Sequence, residues 1–121
     1  DNIYLRTSAV WLMLAEAYAQ SGQDAMAKQT LNKLLEARTI EGRPTMTCDN
    51  TMAGMSTMDM VKLQWRIEMW GEGDWAFYNQ KRWGTQHKRG ANHWSNTQIS
   101  HFTWEIPQKE RIGNPYWKSL D

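Results

Sequence analysis

Two helical stripes separated by a glycine turn limit most strongly what this chain can fold into. Trp11, Leu14, Ala15 and Tyr18 recur at steps of three, one and three, the spacing of a one-sided helical face. Thr7 or Ser8 is placed to cap this helix, which should run to about Gln20. Ser21-Gly22-Gln23 breaks it, with Gly22 suited to a left-handed C-terminal position. Asp24 can cap a second helix over about 25–38, striped by Ala27, Leu31 and Leu34 with Leu35 beside them. Large residues on the first helix and a small Ala27 on the second favour close antiparallel packing.

Composition then asks what fills the core. Leu, Ile, Val and Phe number 18 of 121 residues, below the roughly 20% at which disorder becomes an option. Disorder also needs high net charge. Here 14 basic residues face 13 acidic ones, for a net +1. Eight Trp and eight Met supply the missing apolar bulk. The balance excludes a charge-expanded coil and a strongly basic nucleic-acid binder. Cys48 is the single cysteine, which excludes a disulfide-stapled mini-domain. No apolar run approaches the roughly 20 residues of a membrane span. The length suits one domain over 1–121. The stretch Asp1–Arg6 has no initiator Met and no signal-peptide pattern, so the chain is expected to be a piece of something longer. The 11–34 spacing resembles a single tetratricopeptide repeat. A lone repeat cannot bury its own face, so neighbours are expected, and part of the Trp11/Leu14 face should stay exposed without them.

Beyond the pair, residues 39–56 are rich in Thr, Met, Gly, Pro and Asn and are expected to form a loop. Ser56 and Asp59 suggest a capping box opening a third helix. Its core stripe is expected at Met60, Leu63, Ile67 and Trp70. Gly71-Glu72-Gly73 stops it, and Asp74 can cap a short helix from Trp75 to Trp83, ended by Gly84. Residues 57–84 are thus helical. Residues 85–121 read as a polar loop, an extended Phe102–Ile106 stretch closed by Pro107, and a turn at Asn114-Pro115. The expected fold is all-α: a repeat-like helix pair, further helices and an extended, irregular C-terminal segment.

Chemistry-bearing groups are few. Arg66 and Glu68 lie two apart on a helix and cannot face each other; packing is their expected use. Glu72 and Asp74 flank Gly73, but glycosidases need two carboxylates held across a sugar ring, and Asp74 is better used as a cap. His87, His93 and His101 lack compact ligand spacing. Met46, Met52, Met55, Met58 and Met60 with Cys48 suggest a soft-metal set, against which stands a loop whose last Met packs into the third helix. Lys81-Arg82-Trp83 and His87-Lys88-Arg89 interleave basic and aromatic groups, without the charge of a nucleic-acid binder. No catalytic residue, metal or cofactor is expected. Trp11, Trp65, Trp70, Trp75 and Trp83 are expected as helix-packing bulk, and Trp104 and Trp117 as the frame of the closing segment. Trp94 differs. It sits among Asn92, His93, Ser95 and Asn96 with no periodic neighbours. One expectation for Trp94 is a loop anchor tucked against the helices; the other is a sugar platform, since an aromatic face with a few polar groups around it suits a sugar ring, which makes Trp94, His93 and Asn92 the candidate ligand residues.

Three segments carry a resemblance. Arg66-Ile67-Glu68-Met69-Trp70-Gly71-Glu72-Gly73, with Phe77-Tyr78 and Lys81-Arg82-Trp83-Gly84, resembles the "RRIELWGEG…FFDLKRWG" stretch of the SusD/RagB family. Trp104-Glu105-Ile106-Pro107-Gln108, Glu110 and Asn114-Pro115 resemble its closing "PIPQ-x-E…NP". Tyr4-Leu5-Arg6 with Val10-Trp11-Leu12 and Ala15-Glu16-Ala17 resembles its "YLR…AEA" helix. Trp65 stands where the family has the first Arg of its pair. The resemblance implies the C-terminal scaffold of a cell-surface, outer-membrane lipoprotein, lipid-anchored through a cysteine upstream. Such a protein binds nutrients without catalysis, usually oligosaccharides and in some members peptides, and passes them to a TonB-dependent, SusC-like channel. It also implies that many sugar contacts lie outside this portion. A helical protein–protein scaffold with no small ligand is the competing expectation, and a glycoside hydrolase the third.

Overall fold

The computed structural model describes residues 6–84 and 106–114, and the fold is all-α. The described helices are α1 (Thr7–Gln20), α2 (Asp24–Ala37), α3 (Cys48–Thr51), α4 (Thr57–Glu68), α5 (Trp75–Trp83) and α6 (Gln108–Gly113). The chain divides into two compact units, Asp1–Tyr78 and Asn79–Asp121, with α5 passing from one into the next.

In the first unit, α2 folds back along α1, and α4 packs on both. The turn between α1 and α2 follows from Gly22, whose φ of 76° is left-handed. That conformation lets Gln23 N–H donate to Tyr18 O at 2.8 Å and Gly22 N–H donate to Ala19 O at 3.2 Å, the paired bonds of a Schellman motif. A Cβ at Gly22 would meet nothing within 4 Å. Gly22→Ala is therefore expected to cost about 1–2 kcal/mol from backbone strain alone, read as a lower denaturation midpoint with unchanged helix content.

The α1–α2 pair forms where expected, but α1 is rotated. It buries Ser8, Ala9, Leu12, Ala15 and Glu16. Trp11 and Tyr18 are half-buried, and Leu14 is 39% exposed. The expected Trp11–Leu14–Tyr18 core stripe is corrected accordingly. The cause is that α1 is apolar almost all round, so its periodicity points in no single direction. Packing from α2 and α4 selects the face carrying Ala9 and Ala15, where small side chains permit close approach. Trp11 lies under the Lys33 ammonium, 5.0 Å from the ring centroid. On α2, Ala27, Thr30, Leu31, Leu34 and Leu35 are buried. The expected caps are also corrected. Arg6 and Gln23 hold the N-cap positions of α1 and α2 without side-chain capping bonds. Asp24 instead places its carboxylate in the first turn, at the positive end of the α2 dipole.

The 39–56 segment is more ordered than a loop. Thr47 Oγ1 accepts from Asn50 N–H at 3.2 Å while Asn50 Oδ1 accepts from Thr47 N–H at 2.8 Å, a reciprocal cap that starts α3. Asn32 Oδ1 accepts from Cys48 N–H at 2.7 Å and ties α3 to α2. Cys48 and Met52 are core residues. Burial pushes the Cys48 thiol above its ordinary value.

Ser56 caps α4, its Oγ accepting from Asp59 N–H at 3.2 Å. The expected stripe Met60–Leu63–Ile67–Trp70 holds only at Met60. The buried set is Thr57, Met60, Val61, Gln64 and Trp65, with Met69 just beyond the helix. Leu63 is half-buried, Ile67 is exposed and Trp70 is 84% exposed. The core side of α4 carries the pairs 60/61 and 64/65 in place of Leu63 and Ile67, with Trp65 reaching Glu16 of α1 while Ile67 faces outward. In the second unit Asn79 is buried, and Arg82 Nη2 donates to its Oδ1 at 2.8 Å. Gly84, at φ 62°, follows the last residue of α5. The closing segment, expected to be extended and irregular, contains α6. Pro107 is its N-cap and is exposed, which suits a residue without an N–H to donate. Residues 102–105 of the expected extended stretch lie outside the described residues.

Candidate functional site

Trp94, His93 and Asn92 lie outside the described residues, as do Trp104, Trp117, His87 and His101. The described chemistry gathers in the first unit, in a buried aromatic pillar and an ionic cluster at the turn after α4.

The pillar begins at Trp65. It is 2% exposed, and its indole Nε1–H donates to Glu16 Oε2 at 3.1 Å. Gln20, one helical turn after Glu16, donates from Nε2 to Oε1 at 2.8 Å. A buried indole needs an acceptor, and a buried carboxylate needs donors; α1 and α4 satisfy each other across the core. Trp75 stands 5.2 Å from Trp65, ring centroid to centroid, tilted by 34°. The first turn of α5 is thereby anchored to α4.

The ionic cluster joins Arg6, Arg38 and the nearby pair Glu68 and Glu72, three separate stretches of the sequence. Arg6 Nε donates to Glu72 Oε2 at 2.9 Å, and its Nη2 lies 2.7 Å from Glu72 Oε1. The same Nη2 donates to the backbone oxygen of Glu68 at 2.7 Å. Arg38 grips the Glu68 carboxylate with Nε at 3.0 Å and with Nη2. Arg6 Nη1 lies 3.4 Å from Glu68 Oε1. The Glu68 side chain is 8% exposed. The Arg38 bond, with help from Ser8 and the Arg6 charge, outweighs desolvation and holds its carboxyl below the ordinary carboxylate range. The same bond pushes Arg38 upward. A charge-assisted, two-pronged guanidinium–carboxylate pair is the strong form of this contact.

This arrangement braces rather than reacts. Glu68 stays ionised between two guanidiniums, so it is no general acid. Glu72 is engaged by Arg6. No group of three or more His, Cys, Asp or Glu able to hold a metal ion occurs among the described residues. Of the residues expected to be structural, Ala27, Leu31, Gly22 and Glu68 hold the first unit as described. Trp83 ends α5 half-buried beneath the Arg82 guanidinium, 5.2 Å from its ring. Arg66 and Trp70 are corrected: both are exposed, Arg66 on the opposite side of α4 from the core. Glu16, Arg6 and Arg38 carry roles that periodicity does not reveal. Glu16 alone had a local signal, a carboxylate on the apolar side of α1.

The model of the SusD family matches residues 1–115. No curated protein and no solved structure matches the chain. At the level of the family, the role is nutrient binding in partnership with SusC-like transporters, by binding proteins rather than enzymes, typically at the outer-membrane surface. No described helix is long and apolar enough to cross a membrane. With the family match running through the helix pair, the braced turn and α6, the chain belongs to the SusD family.

Proposed function

We propose that this chain is the helical scaffold of a cell-surface protein that captures a glycan and passes it to a TonB-dependent, SusC-like channel, with anchoring to the outer membrane by a lipid outside residues 1–121. The family match over residues 1–115 carries this reading. The described residues are consistent with it. They build a braced scaffold in which Glu68 and Glu72 are held by Arg38 and Arg6. Capture works by stacking a sugar ring on an aromatic face while polar side chains satisfy its hydroxyls. Trp94 is the proposed stacking residue, flanked by His93 and Asn92.

Trp94→Ala in the full-length protein is expected to weaken glycan affinity by about tenfold or more, the loss of one buried aromatic contact. Calorimetric titration after a glycan-array screen reads this directly, and unchanged affinity removes Trp94 from the site. A scaffold reading without small ligand draws on one observation. Val10, Met13 and Leu14 leave an apolar flank of α1 exposed, as stacked helical repeats require for a neighbour. Array screening separates the two, since a pure scaffold binds no glycan.

A further inference from the structure

We propose that residues 70–74 form a strap that opens as a local unit while α1, α2 and α4 stay packed, and that Arg6 is the latch holding it shut. The first observation is a broken local rule. Arg6 occupies the N-cap of α1 and makes no side-chain capping bond there. A cation at the positive end of a helix dipole is locally unfavourable, and Ser, Thr, Asp or Asn would satisfy the open N–H groups better. The work of Arg6 lies 62 to 66 positions away. Its Nη2 donates to the backbone oxygen of Glu68, the last residue of α4, at 2.7 Å, and its Nε donates to Glu72 Oε2 at 2.9 Å. One guanidinium thus caps the C-terminal end of α4 and grips the turn beyond it.

The second observation is how little else fastens the turn. Trp70, Gly71, Glu72, Gly73 and Asp74 are all exposed, so the segment carries no buried side chain. Gly71 and Gly73 are left-handed, at φ 75° and 53°, and a Cβ on either would meet nothing within 4 Å. The bond from Glu72 N–H to Met69 O, at 3.2 Å, is local. Among the described residues, Arg6 is the one side chain that hydrogen-bonds the turn from outside it. Segments with few buried contacts and solvent-exposed backbone open at free energies well below that of global unfolding.

The third observation is that both ends of the turn are pinned. Met69 before it is buried, and Trp75 after it stacks on Trp65 at 5.2 Å. Parting Arg6 from Glu72 therefore frees a short stretch between two fixed points without separating the helices. Glu68 has its own partner in Arg38, just past the end of α2, so the bundle keeps that pair when the strap opens. The latch itself is accessible: the Arg6 and Glu72 side chains are 36% and 44% exposed, which subjects them to screening by salt. The strap is an ionic device, shut at low ionic strength and looser as salt rises.

The test is hydrogen–deuterium exchange of the full-length protein, read by mass spectrometry on peptides covering the strap and on peptides from α1, α2 and α4. Wild type, Glu72→Gln, Arg6→Gln and the double variant are compared at about 0.1 M and about 1 M salt, between which the screening length falls from roughly 10 to roughly 3 Å. Glu72→Gln, at an exposed position, cuts the latch and nothing else. It should speed exchange of the strap about three- to tenfold, leave the helix peptides unchanged and keep the melting temperature within about 1 °C. Arg6→Gln should speed the strap at least as much, and the double variant no further than Arg6→Gln, because both substitutions break one contact. High salt should speed the strap in wild type and not in Glu72→Gln. Equal strap exchange in wild type and Glu72→Gln would show that Arg6 is no latch. Strap and helix peptides accelerating together in Glu72→Gln would show that the turn opens only with the whole unit, so that there is no strap. The same salt effect in wild type and Glu72→Gln would show that salt acts elsewhere and overturn the ionic device.

Discussion

Trp65→Ala is expected to be the most damaging single change in the chain, costing about 3–5 kcal/mol. The indole is 2% exposed, stacks with Trp75 at 5.2 Å and donates to Glu16 at 3.1 Å. Truncation leaves a cavity between α1, α4 and the start of α5, and takes one donor from a buried carboxylate. Domains are stable by about 5–15 kcal/mol, so this loss takes most of a modest total. Denaturant titration should show a midpoint far below wild type, or no cooperative transition at all. Trp65→Phe divides the effect. It keeps most of the apolar volume and removes the N–H, so its cost should be smaller and should report mainly the hydrogen bond. A Phe variant as stable as wild type would show that the Glu16 contact contributes nothing.

Glu68→Gln is expected to cost about 2 kcal/mol at neutral pH. Its carboxylate is nearly buried and held by Arg38, Arg6 and Ser8. Both arginines are partly exposed, at 36% and 50%, so solvent screening keeps the loss below that of a fully buried pair. The pH dependence has a definite sign. Folding lowers the Glu68 pKa, so its stabilisation is fully present above the unfolded carboxylate value of about 4.3. It is lost as pH falls through the lower folded value, because the unfolded chain takes up the proton first. Wild-type stability should therefore decline on acidification below about pH 5. In Glu68→Gln that part of the decline should be missing. Parallel acid limbs in the two proteins would show that Glu68 is not the group responsible. Added salt should weaken the exposed Arg6–Glu72 arm more than the shielded Glu68 arm.

The correct and incorrect expectations divide along one line. The C-terminal end of α1, the course of α2 and the span of α5 were legible because glycine turns are local chemistry, although the caps of α1 and α2 were not. Gly22, Ser56 and Gly84 act on groups a few residues away. The rotation of α1, the outward turn of Ile67 and Trp70, and α3 within the Met-rich segment were not legible. Each depends on what packs alongside. The Thr47–Asn50 cap that starts α3 is local, but the bond that ties α3 to α2 comes from Asn32, 16 residues earlier. At the braced turn, Arg6 meets Glu72 across 66 positions and Arg38 meets Glu68 across 30, and no periodicity encodes such pairs. Trp94, His93 and Asn92 were reached by composition and setting alone.

By itself, the sequence determined an all-α chain, its leading helix pair with the left-handed Gly22 turn, and the motifs that place it in the SusD family. Each rests on near-neighbour spacing, which a chain carries before it folds. Only the tertiary structure decided that, among the described tryptophans, Trp65 is core and Trp70 is exposed. Trp65 and Trp70 are five residues apart on and just beyond one helix, equally apolar and equally eligible for burial. Trp65 goes inside because Glu16 on α1 and Trp75 on α5 await it there. Trp70, just past the end of α4 on the turn that Arg6 braces, is left 84% exposed. A helix can bury one stripe, and its partners choose the stripe.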